Sequence, residues 1–475
     1  MSFDRIFKER RFNYGDVSNF MHYMADEKLL TPLDSYIHLK EPEDKVRHFT
    51  KRLTEEYNKN RNVKMAIDVC VHCGACLYAC PTYITSGDIY NSPLGRAELI
   101  RSVIKGKKIS GKVFGKAVGA VKKVDMEYIK KVYTYYWLCL ICRRCAYVCP
   151  LGVDQTDVTR VVRSILYEIG MASRFTSLTI DAHWKTGNNM NLKPAAVESI
   201  MKFVKDEIKS EKGIDVKIKI NEKSDTLMLP SSADLYMNME TLKGYVLFLN
   251  LVGIDFSFNT RAIETANFGL FLHPEHMKGL AENYVQVARE MGAKLVIAGE
   301  CGHGWRVHKG YTLPRLRQYG IGLVHIHHLV AKAIRDNKVI LDPQANGGIK
   351  YTYQDPCQYA RGGDLTEEPR YIMKHVVKDW VDPEHSRGYT WCCGGQGGNL
   401  ADEVVPLATQ YSRLWYEEAL RYNSDWVIRP CSICKAQLSH VVPYLNKMYN
   451  NELKYSGLMD LVYRALVVKP QSNKN

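Results

Sequence analysis

The sequence predicts a protein of mixed α+β and α/β class, in which a helical, cysteine-rich domain precedes a duplicated α/β domain. Two cysteine runs with the same spacing lie between residues 61 and 180. From about residue 226 onward, helical and strand-like stretches alternate, as is typical of α/β folds. Two parts of that region resemble each other, which indicates an internal repeat.

Length and composition are those of an ordinary globular protein. The chain has 475 residues, of which 46% are hydrophobic and 24% charged, enough for two or three domains with buried cores. No apolar run reaches the roughly 18 residues of a membrane span. The first residues, MSFDRIFKERRF, lack the hydrophobic stretch of a secretory signal. We therefore expect a soluble chain that is not exported.

The net charge of +14 raises the question of nucleic-acid binding. Basic residues are concentrated between Arg101 and Lys131, but no RNP, zinc-finger or helix-turn-helix pattern accompanies them. We therefore expect no nucleic-acid partner. The stretch is typical either of a solvated basic face or of a docking surface for an acidic partner or an anionic membrane surface.

The two cysteine runs are the most specific feature. Cys70 to Cys80 and Cys139 to Cys149 both have the spacing C-x2-C-x2-C-x3-C-P. In such runs three cysteines bind one [4Fe–4S] cubane, and the fourth, just before proline, reaches the other cubane. Zinc would require two pairs of ligands instead. The predicted ligands are Cys70, Cys73, Cys76 and Cys149 for one cluster, and Cys139, Cys142, Cys145 and Cys80 for the other.

Two arginines distinguish the second run from the first. Arg143 and Arg144 stand where the first run has Gly74 and Ala75. Cations beside a cluster favour its reduced, more negative state, so both arginines are candidate cofactor-binding residues. Surface arginines that point to solvent are the alternative.

A second group of cysteines lies near the C-terminus. Cys357, the adjacent pair Cys392–Cys393, and the pair Cys431 and Cys434 form it. Five thiolates are one too many for a single cubane, and adjacent cysteines project in different directions. Gly394 and Gly395 remove side chains where the backbone must approach a cluster and can supply N–H donors. A zinc site with a spare thiol, or a degenerate cubane, are the alternatives.

Cys301 follows a predicted strand, as Cys431 does in the second copy of the repeat. It is a candidate redox thiol or residual ligand, and His303 is the candidate proton donor. A lone buried cysteine and an ordinary structural histidine are the alternatives. The predicted organisation is an N-terminal extension that binds a partner (1–60), a ferredoxin-like domain (61–180), a connector (181–240), a degenerate half (241–345) and a cysteine-bearing half (346–475).

The arrangement resembles the catalytic subunits of the heterodisulfide reductase family, in which a helical ferredoxin module is fused to a CCG domain. Ser92-Pro93-Leu94-Gly95-Arg96 and the C-terminal cysteine motif carry the resemblance. It is strongest to the branch that serves dissimilatory sulfite reduction, because of the segment Gly299-Glu300-Cys301-Gly302-His303, the single full cysteine set after a degenerate half, and the long N-terminal extension. It implies a noncubane [4Fe–4S] cluster held by the five C-terminal cysteines and acting on disulfides.

The same resemblance implies partners and a place in the cell. Electrons would arrive from a membrane quinol-linked cytochrome b subunit, and the substrate would be a trisulfide on the small sulfur-carrier protein DsrC. The chain would then lie on the cytoplasmic face of the membrane through its partner subunits. The alternatives are reduction of the heterodisulfide of coenzymes M and B, or an electron relay in a glycolate- or lactate-oxidising complex.

Overall fold

The structure is a computed structural model that describes residues 23–107, 121–395, 397, 398, 400 and 404–468. The chain divides into two compact units. Unit 1 comprises residues 1–178, 269–276 and 391–414, and unit 2 comprises residues 179–268, 277–390 and 415–475. Part of the predicted N-terminal extension (1–22) and part of the basic stretch (108–120) lie outside the described residues.

Unit 1 is helical. Its helices are α1 (Glu27–Tyr36), α2 (Lys45–Lys59), α3 (Arg61–Asp68), α4 (Ala75–Ala79), α5 (Pro81–Ser86), α6 (Pro93–Lys105), α7 (Met126–Trp137), α8 (Arg144–Val148), α9 (Gln155–Glu168), the start of α10 (Arg174–Thr186) and, from the C-terminal half of the chain, α14 (Gly269–Leu272).

The Ser92-Pro93-Leu94-Gly95-Arg96 segment explains how α6 begins. The hydroxyl of Ser92 accepts the backbone N–H of Gly95 at 3.0 Å, and Pro93 occupies the first helical position. A Cβ on Gly95 would lie 2.0 Å from the carbonyl oxygen of Ile89, so only glycine fits there. These contacts bring Arg96 into the interior, where it is 3% exposed.

The two cysteine runs have matching backbones. Helices α4 and α8 have five residues each and follow residues in the left-handed region, Gly74 (φ 80°) and Arg143 (φ 61°). Each helix ends on an extended cysteine, Cys80 or Cys149. This conformation is less favourable for arginine than for glycine, so the tertiary structure must hold Arg143 there.

A buried carboxylate joins three helices of unit 1. Glu168, at the end of α9, lies 2.9 Å from Arg52 and 2.8 Å from His48 on α2, and 3.7 Å from His273 just after α14. Burial alone would raise the pKa of Glu168, but hydrogen bonds from His273, Arg52 and His48 lower it to about 2. A lowered pKa means that the carboxylate stabilises the fold above its ordinary pKa of 4.5.

We expect Glu168→Gln to destabilise unit 1 by about 2–3 kcal/mol at pH 7, because it removes a buried carboxylate whose charged form is stabilised by hydrogen bonds. The difference from wild type should shrink as the pH falls from the ordinary pKa of 4.5 towards 2. Chemical unfolding at several pH values measures it. Glu55→Gln is the control, since Glu55 pairs with the same Arg52 but is 42% exposed. Equal effects of the two substitutions would contradict the prediction.

Unit 2 contains two parallel sheets. The first has the order β1-β3-β2-β4-β5 and the second β7-β6-β8-β9. The strands are β1 (Lys219–Ile220), β2 (Thr226–Leu229), β3 (Ser257–Phe258), β4 (Leu295–Ala298), β5 (Gly322–His325), β6 (Tyr351–Tyr353), β7 (Trp380–Val381), β8 (Trp426–Ile428) and β9 (Lys454–Ser456).

Helices surround these sheets. They are the rest of α10, then α11 (Pro194–Lys212), α12 (Ser232–Tyr236), α13 (Met239–Leu251), α15 (Pro274–Glu290), α16 (Gly302–Val307), α17 (Leu313–Arg317), α18 (Ile326–Arg335), α19 (Glu367–Val376), the end of α20 (Val405–Arg421), α21 (Ser432–Tyr449) and α22 (Leu458–Ala465). One hydrophobic core includes Tyr245 on α13, Tyr351 on β6 and Leu461 on α22.

The predicted duplication has a structural counterpart. The order β3-β2-β4-β5 of the first sheet repeats as β7-β6-β8-β9 in the second. Cys301 and Cys431 stand three residues after the ends of β4 and β8, and each is the N-cap of the next helix. Each donates its N–H to the carbonyl two residues earlier at 2.8 Å. The two cysteines are therefore equivalent positions of the repeat.

The segment 181–240 differs from the predicted connector. It contains α11, β1, β2 and α12, and unit 2 includes it. The lysines of this segment suggested a connector. Helix α11 is amphipathic, however: its lysines lie on one face, and a different face buries Val197, Met201, Val204 and Ile208. The observed fold is mostly helical with small parallel sheets, so the predicted class, a helical ferredoxin-like domain followed by an α/β domain, is confirmed.

Candidate metal centres

The cysteines of the second set, Cys80, Cys139, Cys142 and Cys145, line a single cavity in unit 1. All four are buried. Burial raises the pKa of the Cys145 thiol well above its ordinary value, and the neighbouring sulfurs of Cys142, Cys80 and Cys139 raise it further. Four thiolates this close repel one another unless a cation binds them, and four thiolates are the donor set of a cubane. The residues fit the predicted cluster, including the fourth ligand from the other run.

The first set, Cys70, Cys73, Cys76 and Cys149, also fits. Burial raises the pKa of Cys76 to about 12, with further contributions from Cys80, Cys70 and Cys149. Cys149 therefore acts electrostatically on the first run, as the predicted ligand exchange requires. Unlike the second set, this one is near the surface: Cys73 is exposed, and the other three are partly buried.

The residues that flank the two sets also differ in solvent exposure. Around the first set, Val71 is 68% exposed, and Val69, Tyr78, Tyr147 and Leu151 are also exposed. In the second run the corresponding flanking residues Leu138, Leu140 and Ile141 are buried. The first set is thus open to a partner, whereas the second is enclosed.

The two arginines of the second run have different environments. Arg143 forms an ion pair with Asp154 at 2.9 Å, which compensates its charge. Arg144 is 5% exposed, and its guanidinium stacks on the ring of Trp391 at 3.2 Å. Trp391 directly precedes Cys392, so Arg144 connects the second run to the CCG motif. That both arginines bind the cofactor stays a prediction.

Two further arginines, Arg96 and Arg163, surround the second set. Arg163, on α9, is fully buried and donates to the carbonyl oxygens of Tyr136, Trp137, Cys139 and Gly397. Arg96 donates to Thr82, to Asn91 and to the carbonyl of Tyr135. Arg96 was visible in the sequence as the end of a motif, but Arg163 carried no local signal.

Cys392 and Cys393 belong to unit 1, in the loop formed by the described residues of 391–398, which we call the CCG loop. Gly394 has a φ of 90°, and a Cβ there would lie 2.7 Å from Ser412 Oγ and 2.9 Å from the carbonyl of Ala408. Ser412 in turn donates to the carbonyl of Cys393 at 2.8 Å. Gly394 is therefore required by packing against α20. The predicted N–H donation of Gly394 and Gly395 to a cluster stays a prediction.

The CCG loop packs against the part of unit 1 that contains Cys139 of the second set. A Cβ on Gly397 would lie 2.9 Å from the carbonyl of Cys139, and one on Gly398 would lie 2.3 Å from the ring of Phe271. The carbonyl of Gly398 accepts a hydrogen bond from Thr176 at 3.1 Å. The close contact at Gly397 brings this loop directly against the backbone of a second-set cysteine.

The other three predicted ligands of the C-terminal cluster lie in unit 2. Cys431 caps α21 and Cys434 follows one turn later, and both are buried. Cys357 is partly buried and follows Asp355-Pro356. Thr390, the residue before the CCG loop in the chain, donates to the carbonyl of Asp355 at 3.0 Å. That hydrogen bond holds Thr390 next to Asp355, which lies two residues before Cys357.

Cys301 and His303 form a hydrogen-bonded pair in unit 2. His303 Nε2 accepts the backbone N–H of Asn267 at 3.3 Å, so in the neutral ring Nδ1 carries the proton and donates to Cys301 Sγ at 3.3 Å. Burial lowers the pKa of His303 to about 4, which keeps the ring neutral. Gly302, between them, donates its N–H to Cys431 Sγ at 3.2 Å. The arrangement provides donors to two sulfurs.

A buried charge network, missed in the sequence, lies next to these cysteines. Lys435, which follows Cys434, is 3.2 Å from Asp234 and 3.7 Å from Glu300, and its ammonium donates to Thr241 at 2.5 Å. Thr241 donates to Asp460, and Glu300 also contacts His327 at 2.9 Å. Its members come from distant parts of the chain, so no sequence pattern could have revealed it.

No helix among the described residues is both long and apolar enough to cross a membrane.

Comparisons with known proteins agree with this architecture. The family model described as a 4Fe-4S dicluster domain matches residues 66–153, and the CCG model, described as a cysteine-rich domain, matches residues 351–439, which include all five C-terminal cysteines. These matches confirm the predicted cofactors: two [4Fe–4S] cubanes, with a cysteine-rich domain that fits a noncubane cluster.

Three relatives indicate the family. The chain is 33% identical to an Hdr-like menaquinol oxidoreductase iron-sulfur subunit of Archaeoglobus fulgidus, over 90% of this chain and 85% of the relative. It is 26% identical to one chain of the dihydromethanophenazine:CoB–CoM heterodisulfide reductase of Methanosarcina barkeri, over 85% and 94% of the two chains. A glycolate oxidase iron-sulfur subunit of Escherichia coli is 32% identical over 24% of each chain. The chain belongs to the heterodisulfide reductase-like family of iron–sulfur subunits.

Proposed function

We propose that this chain carries electrons from a membrane partner through its two cubanes to a C-terminal cluster that reduces a disulfide or trisulfide. One observation carries the proposal. The guanidinium of Arg163 donates hydrogen bonds both to the carbonyl of Cys139 and to the carbonyl of Gly397 in the CCG loop. The second cubane and the loop with Cys392 and Cys393 thus share a direct connection. Such a connection suits electron delivery to the C-terminal cluster.

The proposed ligands of the two cubanes follow from the geometry within unit 1. The first set binds one cubane and the second set the other, as the mutual effects of their sulfurs support. Cys357, Cys392, Cys393, Cys431 and Cys434 bind the C-terminal [4Fe–4S] cluster in noncubane form, which the match over residues 351–439 supports. Cys301 stays outside this set and lies against it through Cys431.

Electrons enter at the first cubane. Its ligand Cys73 is exposed, and the apolar residues around it (Val69, Val71, Tyr78, Tyr147 and Leu151) offer a surface for a redox partner. The second cubane is enclosed and adjoins the CCG loop. The partner we propose is a quinol-linked cytochrome b subunit of a membrane complex, in keeping with the menaquinol oxidoreductase named for the relative. The chain then lies at the cytoplasmic face of the membrane.

Each S–S bond that is reduced consumes two electrons and two protons. A cluster held by Cys357, Cys392, Cys393, Cys431 and Cys434 would supply these electrons to the sulfur substrate. His303 holds a proton at Nδ1 against Cys301, and the N–H of Gly302 stabilises negative charge on Cys431. Because Cys301 is 0% exposed, it serves as a neighbour of the cluster more readily than as a thiol that attacks a protein.

The substrate we propose is the trisulfide of DsrC, from which reduction releases sulfide. The heterodisulfide of coenzymes M and B is the second candidate, favoured by the relative from Methanosarcina barkeri. An electron relay that never touches sulfur is the third, favoured by the glycolate oxidase relative. Such a relay only transfers electrons, whereas the first two candidates are disulfide or trisulfide reductases.

The test supplies the holoprotein with a strong one-electron donor and measures sulfide released from DsrC trisulfide and thiol released from the CoM–CoB heterodisulfide. Sulfide release supports the DsrC trisulfide as the substrate. Thiol release without sulfide release would show that the substrate is the heterodisulfide instead. If neither product forms while both cubanes are reduced, disulfide reduction is wrong. A relay also predicts no paramagnetic signal when the oxidised protein is incubated with thiol.

A further inference from the structure

Two buried arginines next to the second set hydrogen-bond only uncharged acceptors within the described part of the chain. Arg163 is 0% exposed and Arg96 is 3% exposed. All acceptors of Arg163 are main-chain carbonyls, and Arg96 binds carbonyls, a hydroxyl and an amide oxygen. Among the residues that the structure describes, no carboxylate lies within ion-pair distance of either. Burying an uncompensated cation is costly, so something else must balance these charges.

Two other buried arginines of the chain each have a carboxylate within ion-pair distance. Arg101, beside His72 in the neighbourhood of the first set, is 2.9 Å from Glu98. Arg370 in unit 2 contacts both Asp355 and Asp382. Arg96 and Arg163 differ from these two in having carbonyl and hydroxyl acceptors instead of a carboxylate. Arg96 lines the cavity formed by the second set, and Arg163 donates to the carbonyl of Cys139, one of its members.

The electrostatic contacts identify the missing counter-charge. Cys139 and Cys80 raise the pKa of Arg96 against the opposing effect of burial. Arginine side chains stay protonated in proteins, so both buried guanidinium groups carry a positive charge at neutral pH. A four-thiolate cubane is a dianion when oxidised and a trianion when reduced, and neither state carries a proton that could neutralise it.

We propose that Arg96 and Arg163 are the counter-charge of the second cubane and hold the transferred electron beside the CCG loop. Reduction moves one electron from the first cubane to the second, so the second becomes more negative by the charge that the first loses. Two buried guanidinium groups favour that product state. Arg163 also hydrogen-bonds the carbonyl of Gly397, so it places this positive charge next to the CCG loop. The direction of flow, though not the charge effect itself, rests on the proposed function.

The experiment is a redox titration of the holoprotein followed by electron paramagnetic resonance, with iron content measured in parallel. We expect Arg163→Gln and Arg96→Gln to shift the midpoint potential of the second cubane to lower values and to leave that of the first in place. Arg163→Lys keeps the charge and should stay close to wild type. A purely structural role of these arginines would not produce this difference between glutamine and lysine.

Arg160→Gln is the matched control, since Arg160 lies one turn from Arg163 on α9 but pairs with Asp157 at 3.0 Å. It should leave both potentials unchanged. If a glutamine variant loses the iron of the second cubane, the lysine variant is expected to restore it, and failure to do so overturns the proposal. Unchanged potentials in fully loaded glutamine variants overturn it as well. Neither result depends on disulfide reduction, so a failure of the proposed function remains distinguishable.

Discussion

Cys431→Ser is expected to remove about one third of the bound iron and to abolish disulfide reduction, while both cubanes remain reducible. Two cubanes and one further four-iron cluster contain equal shares of the iron, and Cys431 is a proposed ligand of the last only. The sulfur of Cys431 accepts the N–H of Gly302 and lies next to Cys301 and Cys434. Serine therefore removes the metal-binding sulfur at the centre of this group.

Cys301→Ser is the matched control for that variant, because Cys301 occupies the equivalent position of the repeat and is also buried. We expect it to keep its full iron content and to reduce disulfides more slowly, by about 10–100-fold, since a sulfur next to a cluster ligand is replaced by a smaller hydroxyl. Iron and sulfide analysis with spectroscopy of both variants decides the matter. If Cys431→Ser keeps all its iron, or if Cys301→Ser loses as much as Cys431→Ser, the ligand assignment is wrong.

The cysteine chemistry was predictable because it depends on local spacing. The runs Cys70 to Cys80 and Cys139 to Cys149 specify their clusters within eleven residues each, and the exchange of Cys80 and Cys149 follows from the same spacing. The repeat was also visible, because the strand-then-cysteine order recurs at Cys301 and Cys431. Local patterns of this kind do not depend on the rest of the fold, and Cys80 lines one cavity with Cys139, Cys142 and Cys145.

What the sequence could not reveal depends on distant residues. Arg163 lies 24 positions from Cys139 and 234 from Gly397, and only the fold brings these groups together. The division of the chain is also non-local: Cys392 and Cys393 belong to the unit of the cubanes, although the neighbouring sequence belongs to unit 2. The helix α11 was missed because its lysines suggested a linker, whereas its apolar stripe shows a packed helix.

The charge network of unit 2 leads to the second large effect. Lys435 is 1% exposed, and three carboxylates, those of Asp234, Glu300 and Asp460, surround its ammonium directly or through Thr241. Burial raises the pKa of Asp234 to about 6, so its carboxylate is already difficult to ionise even with Lys435 present. Lys435 is thus the cation that makes this concentration of negative charge tolerable.

Lys435→Met is therefore expected to destabilise unit 2 by about 3–5 kcal/mol, because it leaves buried carboxylates without a cation. Asp234→Asn added to it should restore part of the loss, since one fewer charge then needs compensation. Thermal and chemical unfolding of the holoprotein measure both variants. Lys243→Met is the control: Lys243 pairs with Glu211 at 2.6 Å, but Glu211 is 40% exposed, so water replaces the lost partner. If Lys435→Met costs no more than Lys243→Met, the carboxylates share protons rather than depend on Lys435.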